Sequence, residues 1–389
     1  MENTVTETAT FGEDLAFLNE HTEVVVLSDE AGQAQVVVSP PMQGRVLTST
    51  AAGSDGMSYG WINRELIASG ERQEHINVFG GEDRFWLGPE GGQFSIYFQG
   101  GDPFEMEHWY VPAAIDWDPF PVAAQERDRI VFEKAMRLTN FSGTTFDLEV
   151  DREVRLSGRA EVAEGLGVAL DSVVQVVAFE SVNSITNVGD EAWTKEGGLL
   201  SIWILGMFTP SPATTVVIPY QSGDEEVLGP IVNAAYFGEP PPDRLIIEDD
   251  VIYFSGDGKY RSKIGLTSKR SKPVFGSYDA DNRVLTLVQY TMSETAADYV
   301  NSMWEIQEDP YAGDIINSYN DGPPEPGAEP LGPFYELESS SPAMALAPGD
   351  SLTHVHRTIH LQGSEEALDR IAVGTLGKTL NEIRSAFAP

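Results

Sequence analysis

Apolar residues along this chain recur mostly with a period of two. Val24 to Leu27 and Val36 to Val38 are short β-branched runs separated by an Asp-Glu-Ala-Gly-Gln turn. Phe146, Leu148, Val150, Val154 and Leu156 alternate with polar residues, with one interruption. Val173 to Phe179, Leu245 to Phe254, Val284 to Tyr290 and Ser351 to Leu361 continue the theme, and Leu199 to Phe208 (LLSIWILGMF) reads as a buried strand. Gly, Pro and Asp punctuate these segments, which predicts a mainly β fold, a sandwich of antiparallel sheets. Helical periodicity is confined to three places. Glu13 to Glu20 puts Leu15 and Leu18 on one face. Ser293 to Gln307 begins with a Ser cap and spaces Tyr299, Met303 and Ile306 helically. Ser364 opens a terminal helical region with Leu368 and Ile371 inward, interrupted near Gly374 and Gly377. The Pro-rich stretches 238–243 and 322–332 are too short for domain linkers, so residues 1–389 are expected to form one domain, with a core over about 20–362 and helices over 364–388.

Composition narrows the function classes. Of 389 residues 41% are hydrophobic and 10% aromatic, enough to bury a large core. The absence of cysteine excludes disulfides, thiolate metal sites and a thiol nucleophile. Sixty-one acidic against 24 basic residues give a net charge of −37, a field that repels nucleic acid. No apolar run reaches membrane-spanning length. Residues 1–15 lack a basic and then apolar leader pattern, so the expectation is a periplasmic or secreted protein whose signal peptide is not included, with the cytoplasm as the other option.

Three segments carry candidate chemistry. The first, Gly60 to Trp86, offers Asn63, Arg64, Arg72, His75, Glu82 and Arg84 as directional polar groups among Trp61, Phe79 and Trp86. Sugars need this mixture, because hydroxyls demand paired donors and acceptors while the C–H face packs on rings. The competing reading is a turn-rich sandwich edge whose Arg and Glu residues pair with each other. In the second, Ser181 to Phe208, Asn187-Val-Gly forms a turn ahead of Trp193 and Trp203, equally readable as a loop with core tryptophans. In the third, Glu336 and Glu338 lie two apart and project from one face of a strand; His354, His356 and His360 share a face of the next. Carboxylates facing histidines suit acid–base work or a metal, but no HExxH-type spacing supports zinc, and neither a metal nor a cofactor is expected. A basic cluster of Lys259, Arg261, Lys263, Lys269, Arg270 and Lys272 is either a solvated hairpin or a reader of acidic groups on a sugar.

Gly60-Trp-Ile-Asn63-Arg64 followed by Phe79-Gly80-Gly81 and Trp86 resembles the aldose 1-epimerase pattern of an Asn-Arg pair, a His-Gly-Gly turn and a Trp. Thr186-Asn187-Val188-Gly189 falls where that family has Asn-His, and Leu337-Glu338 ahead of Leu346-Ala-Pro348-Gly349 is similar to its C-terminal catalytic Glu and Leu-x-Pro-Gly turn. The resemblance spans roughly residues 20 to 362 and points to a bacterial branch of the galactose mutarotase-like superfamily. It implies an antiparallel β-supersandwich and a mono- or oligosaccharide ligand, acidic if the basic cluster takes part. Glu338 stands at the base position. Phe79 and Val188 replace the two histidines that hold the sugar ring and protonate its oxygen; His75, His108 or His356 is then the acid expected to stand in, with His356 named beside Glu338 as catalytic. Asn63, Arg64, His75, Glu82, Arg84, Trp86, Asn187, Trp193, Lys259, Arg261, Lys263 and Glu336 are the expected substrate contacts. Three readings stay open: a carbohydrate-active enzyme (epimerase, lyase or hydrolase), a non-catalytic glycan binder, and a structural β domain.

Overall fold

A computed structural model describes residues 9–294 and 297–387. The chain is mainly antiparallel β, as its apolar alternation predicts. Ten strands form one sheet, in spatial order Leu245–Ile247, Val251–Ser255, Thr214–Pro219, Val274–Asp279, Val284–Tyr290, Ser351–Gln362, Gln175–Asn187, Thr145–Leu156, Arg129–Thr139 and Val122–Gln125. Five form a second: Ser262–Leu266, Ile316–Asn320, Tyr335–Ser340, Ser201–Phe208 and Arg84–Gly88. A small sheet of Val25–Ser28, Gln35–Ser39 and Arg45–Thr50 packs with the helix Phe11–His21, where Phe11 and Leu18 are buried and Thr10 closes a capping box with Glu13.

The two large sheets face each other. Leu337 and Ile264 of the five-stranded sheet pack with Phe275, Val288 and Val216 of the ten-stranded one. The outer side of the ten-stranded sheet is sealed by the helices Glu365–Leu376 and Leu380–Ser385, whose Leu368, Ile371, Leu380 and Ile383 meet Val217, Tyr253, Tyr278 and Leu285. Ser364 caps the first of these helices as expected. Gly374 lies within it, and the break comes at Gly377, whose left-handed φ of 74° ends the helix.

The helix expected over 293–307 is not formed; residues 295 and 296 within that span lie outside the described ones. The Tyr299 and Asn301 N–H groups instead donate to the carbonyls of Tyr311 and Pro310, and Gly313 N–H donates to Tyr299, so the segment runs alongside a loop. Tyr299 and Val300 are buried there, while Ile306 is exposed, contrary to a helical face. Among the described residues no helix is long and apolar enough to cross a membrane.

A polar seam runs between the large sheets. Arg152 and Asp83, both inaccessible, pair at 2.6 Å; Ser181 Oγ donates to Asp83 at 2.7 Å and Arg152 to Asn183 Oδ1 at 2.5 Å. Ser339 Oγ lies 2.8 Å from both His354 Nε2 and His356 Nδ1. Burial disfavours the imidazolium and lowers the two histidines to about 3 and about 4; the neighbouring His356 adds to the shift of His354.

Removing one partner of a buried ion pair strands the other. Arg152→Leu is therefore expected to cost about 3–5 kcal/mol in denaturant unfolding, and a loss under about 1 kcal/mol would contradict that role for the pair. For the histidines the folded pKa lies below the unfolded one, so the unfolded chain binds more protons between them. Stability is complete above pH 6.5 and falls toward pH 4 at up to about 1.4 kcal/mol per pH unit per histidine. Unfolding curves of the wild type and of a His354→Gln/His356→Gln double variant, taken across that range, check the slope.

Candidate functional site

Residues paired across antiparallel strands share a face, so the register of the five-stranded sheet sorts the candidates. One row across the sheet is Arg84, Leu205, Glu338 and Asn317. The next is Met207, Glu336, Tyr319 and Lys263, and a third is Trp86, Trp203 and Ser340. Leu337 and Ser339, the alternate residues of the Glu338 strand, point into the sandwich. Glu336 and Glu338 therefore point out of it, beneath the loops that cover this sheet.

The turn Phe79-Gly80-Gly81 frames this face. Gly80 and Gly81 have φ of 88° and 108°, and a Cβ on Gly80 would fall 2.1 Å from the Trp61 carbonyl oxygen, so only glycine fits. Gly81 N–H donates to Trp61 and Trp61 N–H to Met207, which ties the Asn63 and Arg84 segments to the strand that carries Trp203.

Glu338 is fully buried. Its Oε2 accepts from Lys263 Nζ at 3.0 Å and Trp203 Nε1 at 2.9 Å, while Oε1 has no hydrogen-bond partner. Glu336 accepts from Arg84 Nη2 at 3.3 Å. The Arg84 guanidinium lies 4.1 Å over the Trp86 ring, and its Nε and Nη1 are buried and unpartnered, as is Trp86 Nε1. Trp86 meets Trp203 edge-on at 5.5 Å, and Lys263 Nζ sits 4.8 Å over Trp203 and 5.5 Å over Tyr236. Asp314 accepts from Tyr236 Oη at 2.6 Å and Asn233 Nδ2 at 3.0 Å.

Four carboxyl groups thus gather around two cations. Burial, reinforced by the Glu338 charge, pushes Glu336 up to about 8, against the pull of Arg84 and Lys263. Burial likewise raises Glu90, which reaches in from a covering loop, and Asp314. Burial works against the Lys263 charge, but Glu338, Glu90 and Glu336 outweigh it and hold the ammonium above its ordinary value. Beside Lys263 and Trp203 the structure leaves a cavity of about 10 Å³, bounded by Tyr236, Asp314, Asn317 and Val300. That is room for about one water.

Of the expected site residues, Glu336, Glu338, Arg84, Trp86 and Lys263 come together. His356 does not: it lies in the sandwich interior against Ser339, on the other side of the sheet from Glu338. Glu82 also points inward, 2.7 Å from His360 Nε2 and 3.0 Å from Ser49 Oγ. Asn63 caps the helix Arg64–Ser69 by accepting from Leu66 N–H, and Arg64 pairs with Asp14 over Phe17. His75 stacks on Tyr110 with Nδ1 2.7 Å from the Trp109 carbonyl oxygen. Asn187 Nδ2 donates to the carbonyls of Glu191 and Leu346, and Trp193 packs edge-on against Phe146; both order a turn. Phe79 is buried with Ile62 and Leu66, while Val188 is half exposed. The basic cluster is dispersed. Lys263 enters the site, Arg261 lies over Phe237, Arg270 donates to the carbonyls of Gly229, Gln221 and Gly223, and Lys259 is exposed.

Sequence reasoning missed Glu90, Tyr236 and Asp314 and left Trp203 open between the site and the core. The alternation of Trp203 with Leu205 and Met207 could have placed it opposite the glutamates. The other three sit on loops with no periodic signal.

Residues 9–387 match a single family model, described as a family of unknown function, DUF6786. The chain belongs to that family. No curated protein matches it in sequence. Solved structures share its fold. A "Putative aldose 1-epimerase" from Escherichia coli K12 aligns at 12% identity with a TM-score of 0.53, covering 88% of this chain and 99% of that one. The Slr1438 protein of Synechocystis sp. PCC 6803 aligns at 14% identity and 0.51, covering 94% and 100%. A galactose mutarotase-like protein from Lactobacillus casei ATCC 334 aligns at 10% and 0.49, covering 87% and 100%. This DUF6786 chain thus has the β-sandwich fold of the Escherichia coli and Synechocystis structures.

Lys263 is the nearest cation to the buried Glu338. Lys263→Met is expected to destabilise the fold by about 3 kcal/mol at pH 8, and by less near pH 5, where a stranded carboxyl takes up a proton. Equal losses at both pH values in urea unfolding would show that the pair does not carry the charge balance.

Proposed function

We propose that this DUF6786 protein acts on a neutral carbohydrate at the outer face of the five-stranded sheet, with Glu338 as proton acceptor. One observation carries the reading: Glu338 keeps one buried oxygen unpartnered beside two tryptophan rings and an arginine with unused N–H donors. Hydroxyls would satisfy these groups, and the rings suit the C–H face of a sugar. The shared fold adds support, since one of its relatives carries an epimerase name. Charge argues for a neutral sugar, because Arg84 and Lys263 already face Glu336 and Glu338. The −37 net charge supports no nucleic-acid role. The reaction class in best accord with the site is opening and reclosing of a sugar hemiacetal, which needs one proton acceptor and one donor and no leaving group.

Phe79 and Val188, at the positions where the resemblance expects histidines, favour a second reading, a binding protein without turnover; in either case a sugar enters the cavity of about 10 Å³ only if the segments bearing Tyr236 and Val300 move aside. One experiment separates the two. Anomer interconversion is followed by polarimetry or NMR for a panel of reducing sugars, with binding measured by calorimetry on wild type and Glu338→Gln. Catalysis predicts that the variant binds but interconverts at least about 100-fold more slowly. Binding by both without turnover leaves the binder, and binding by neither overturns the site. Arg84→Ala should weaken binding about 10-fold or more.

A further inference from the structure

The carbohydrate reading needs a proton donor, and the positions where the family resemblance expects histidines hold Phe79, packed in a core, and Val188, half exposed. His354 and His356 are excluded by topology, since the sheet itself separates them from Glu338. Lys263 is committed to Glu338 and held above its ordinary pKa, which makes it a poor donor. Asp314 is engaged by Tyr236 and Asn233, and Glu90 by Trp304. Glu336 remains. It is buried on the same face as Glu338, two residues away on one strand, roughly 6.6 Å along the chain. It receives a 3.3 Å contact from Arg84, and its protonated form is further held by a hydrogen bond to Glu338.

Building on that reading, we propose that Glu336 is the general acid, delivering its proton to the ring oxygen of the sugar while Glu338 accepts the proton of the anomeric hydroxyl. As Glu338 takes the O1 proton, the electron pair left on O1 forms the C1=O1 carbonyl. The C1–O5 bond breaks onto O5, and O5 takes the Glu336 proton. Reclosure on the other face of C1 returns the O5 proton to Glu336 and the Glu338 proton to O1, so both carboxyl groups end as they began. The groups facing Glu336 account for its protonated form near neutral pH. Glu338 lies beside it on its own strand, Tyr319 comes from the adjacent strand, Arg84 and Lys263 come from the sheet edges, and Glu90 lies beyond Lys263. Burial and the Glu338 charge outweigh the two cations, which keeps Glu336 a carboxylic acid up to about pH 8.

The test has an arm that needs no activity. Carboxyl ¹³C NMR titration of the wild type labelled on glutamate should show a group titrating near pH 8 that disappears in Glu336→Gln. In anomer exchange of α-D-glucose and α-D-galactose, the wild-type rate should fall about tenfold per pH unit above that value. Glu336→Gln should be slower by at least about 100-fold, with that limb lost. A rate that is flat to pH 10, a variant within about 3-fold of wild type, or no carboxyl titrating above pH 7 overturns the assignment. Should the variant not fold, the wild-type titration and pH profile decide alone. Failure of the carbohydrate reading looks different: the wild type then binds and converts no sugar, whatever Glu336 titrates at.

Discussion

Period-two alternation along the strand Tyr335–Ser340 is the constraint on which the chemistry of this molecule depends. Glu336 and Glu338 go to the outer face, while Leu337 and Ser339 go to the interior. A one-residue slip would drive both carboxyls into the sandwich interior and expel Leu337 and Ser339 from it. Register is pinned on both sides by the neighbouring strands Ile316–Asn320 and Ser201–Phe208, which bring Asn317 and Leu205 opposite Glu338.

The same alternation yields two polar systems separated by one layer of backbone. The inner one is centred on Arg152, Asp83, Ser339 and the two histidines; its ion pair is hydrogen-bonded, its histidines stay neutral, and each histidine leaves one ring nitrogen unpartnered. The outer one is strained electrostatically. It sets four carboxyl groups against two cations, and the imbalance is relieved by keeping protons on carboxyls. Unpartnered buried atoms occur in both systems, on Arg84, Trp86, Ser201 and Glu338 outside and on Glu82, His354, His356 and Thr358 inside. A buried system that only stabilised the fold would gain by satisfying those atoms. Beside Glu338 they stand with the Trp86 and Trp203 rings and the Arg84 guanidinium.

Sequence alone determined the β architecture, because burying one face of a strand leaves an alternation that any reader can count. It also determined the helix start at Ser364 and the shared face of Glu336 and Glu338, since caps and same-strand geometry are local. Tertiary structure decided the rest. Whether Glu82 and Arg84, two apart, share a face depended on the irregular chain ahead of Arg84–Gly88, and it turned Glu82 inward to His360. His356 was placed by the partner sheet, which no local pattern encodes. Residues 293–307 have helical spacing, but their N–H groups found partners in the 310–313 loop, and tertiary hydrogen bonding overrode the local pattern. Glu90, Tyr236 and Asp314 joined the site from loops, where position follows from packing at long range and leaves no periodic trace in the chain.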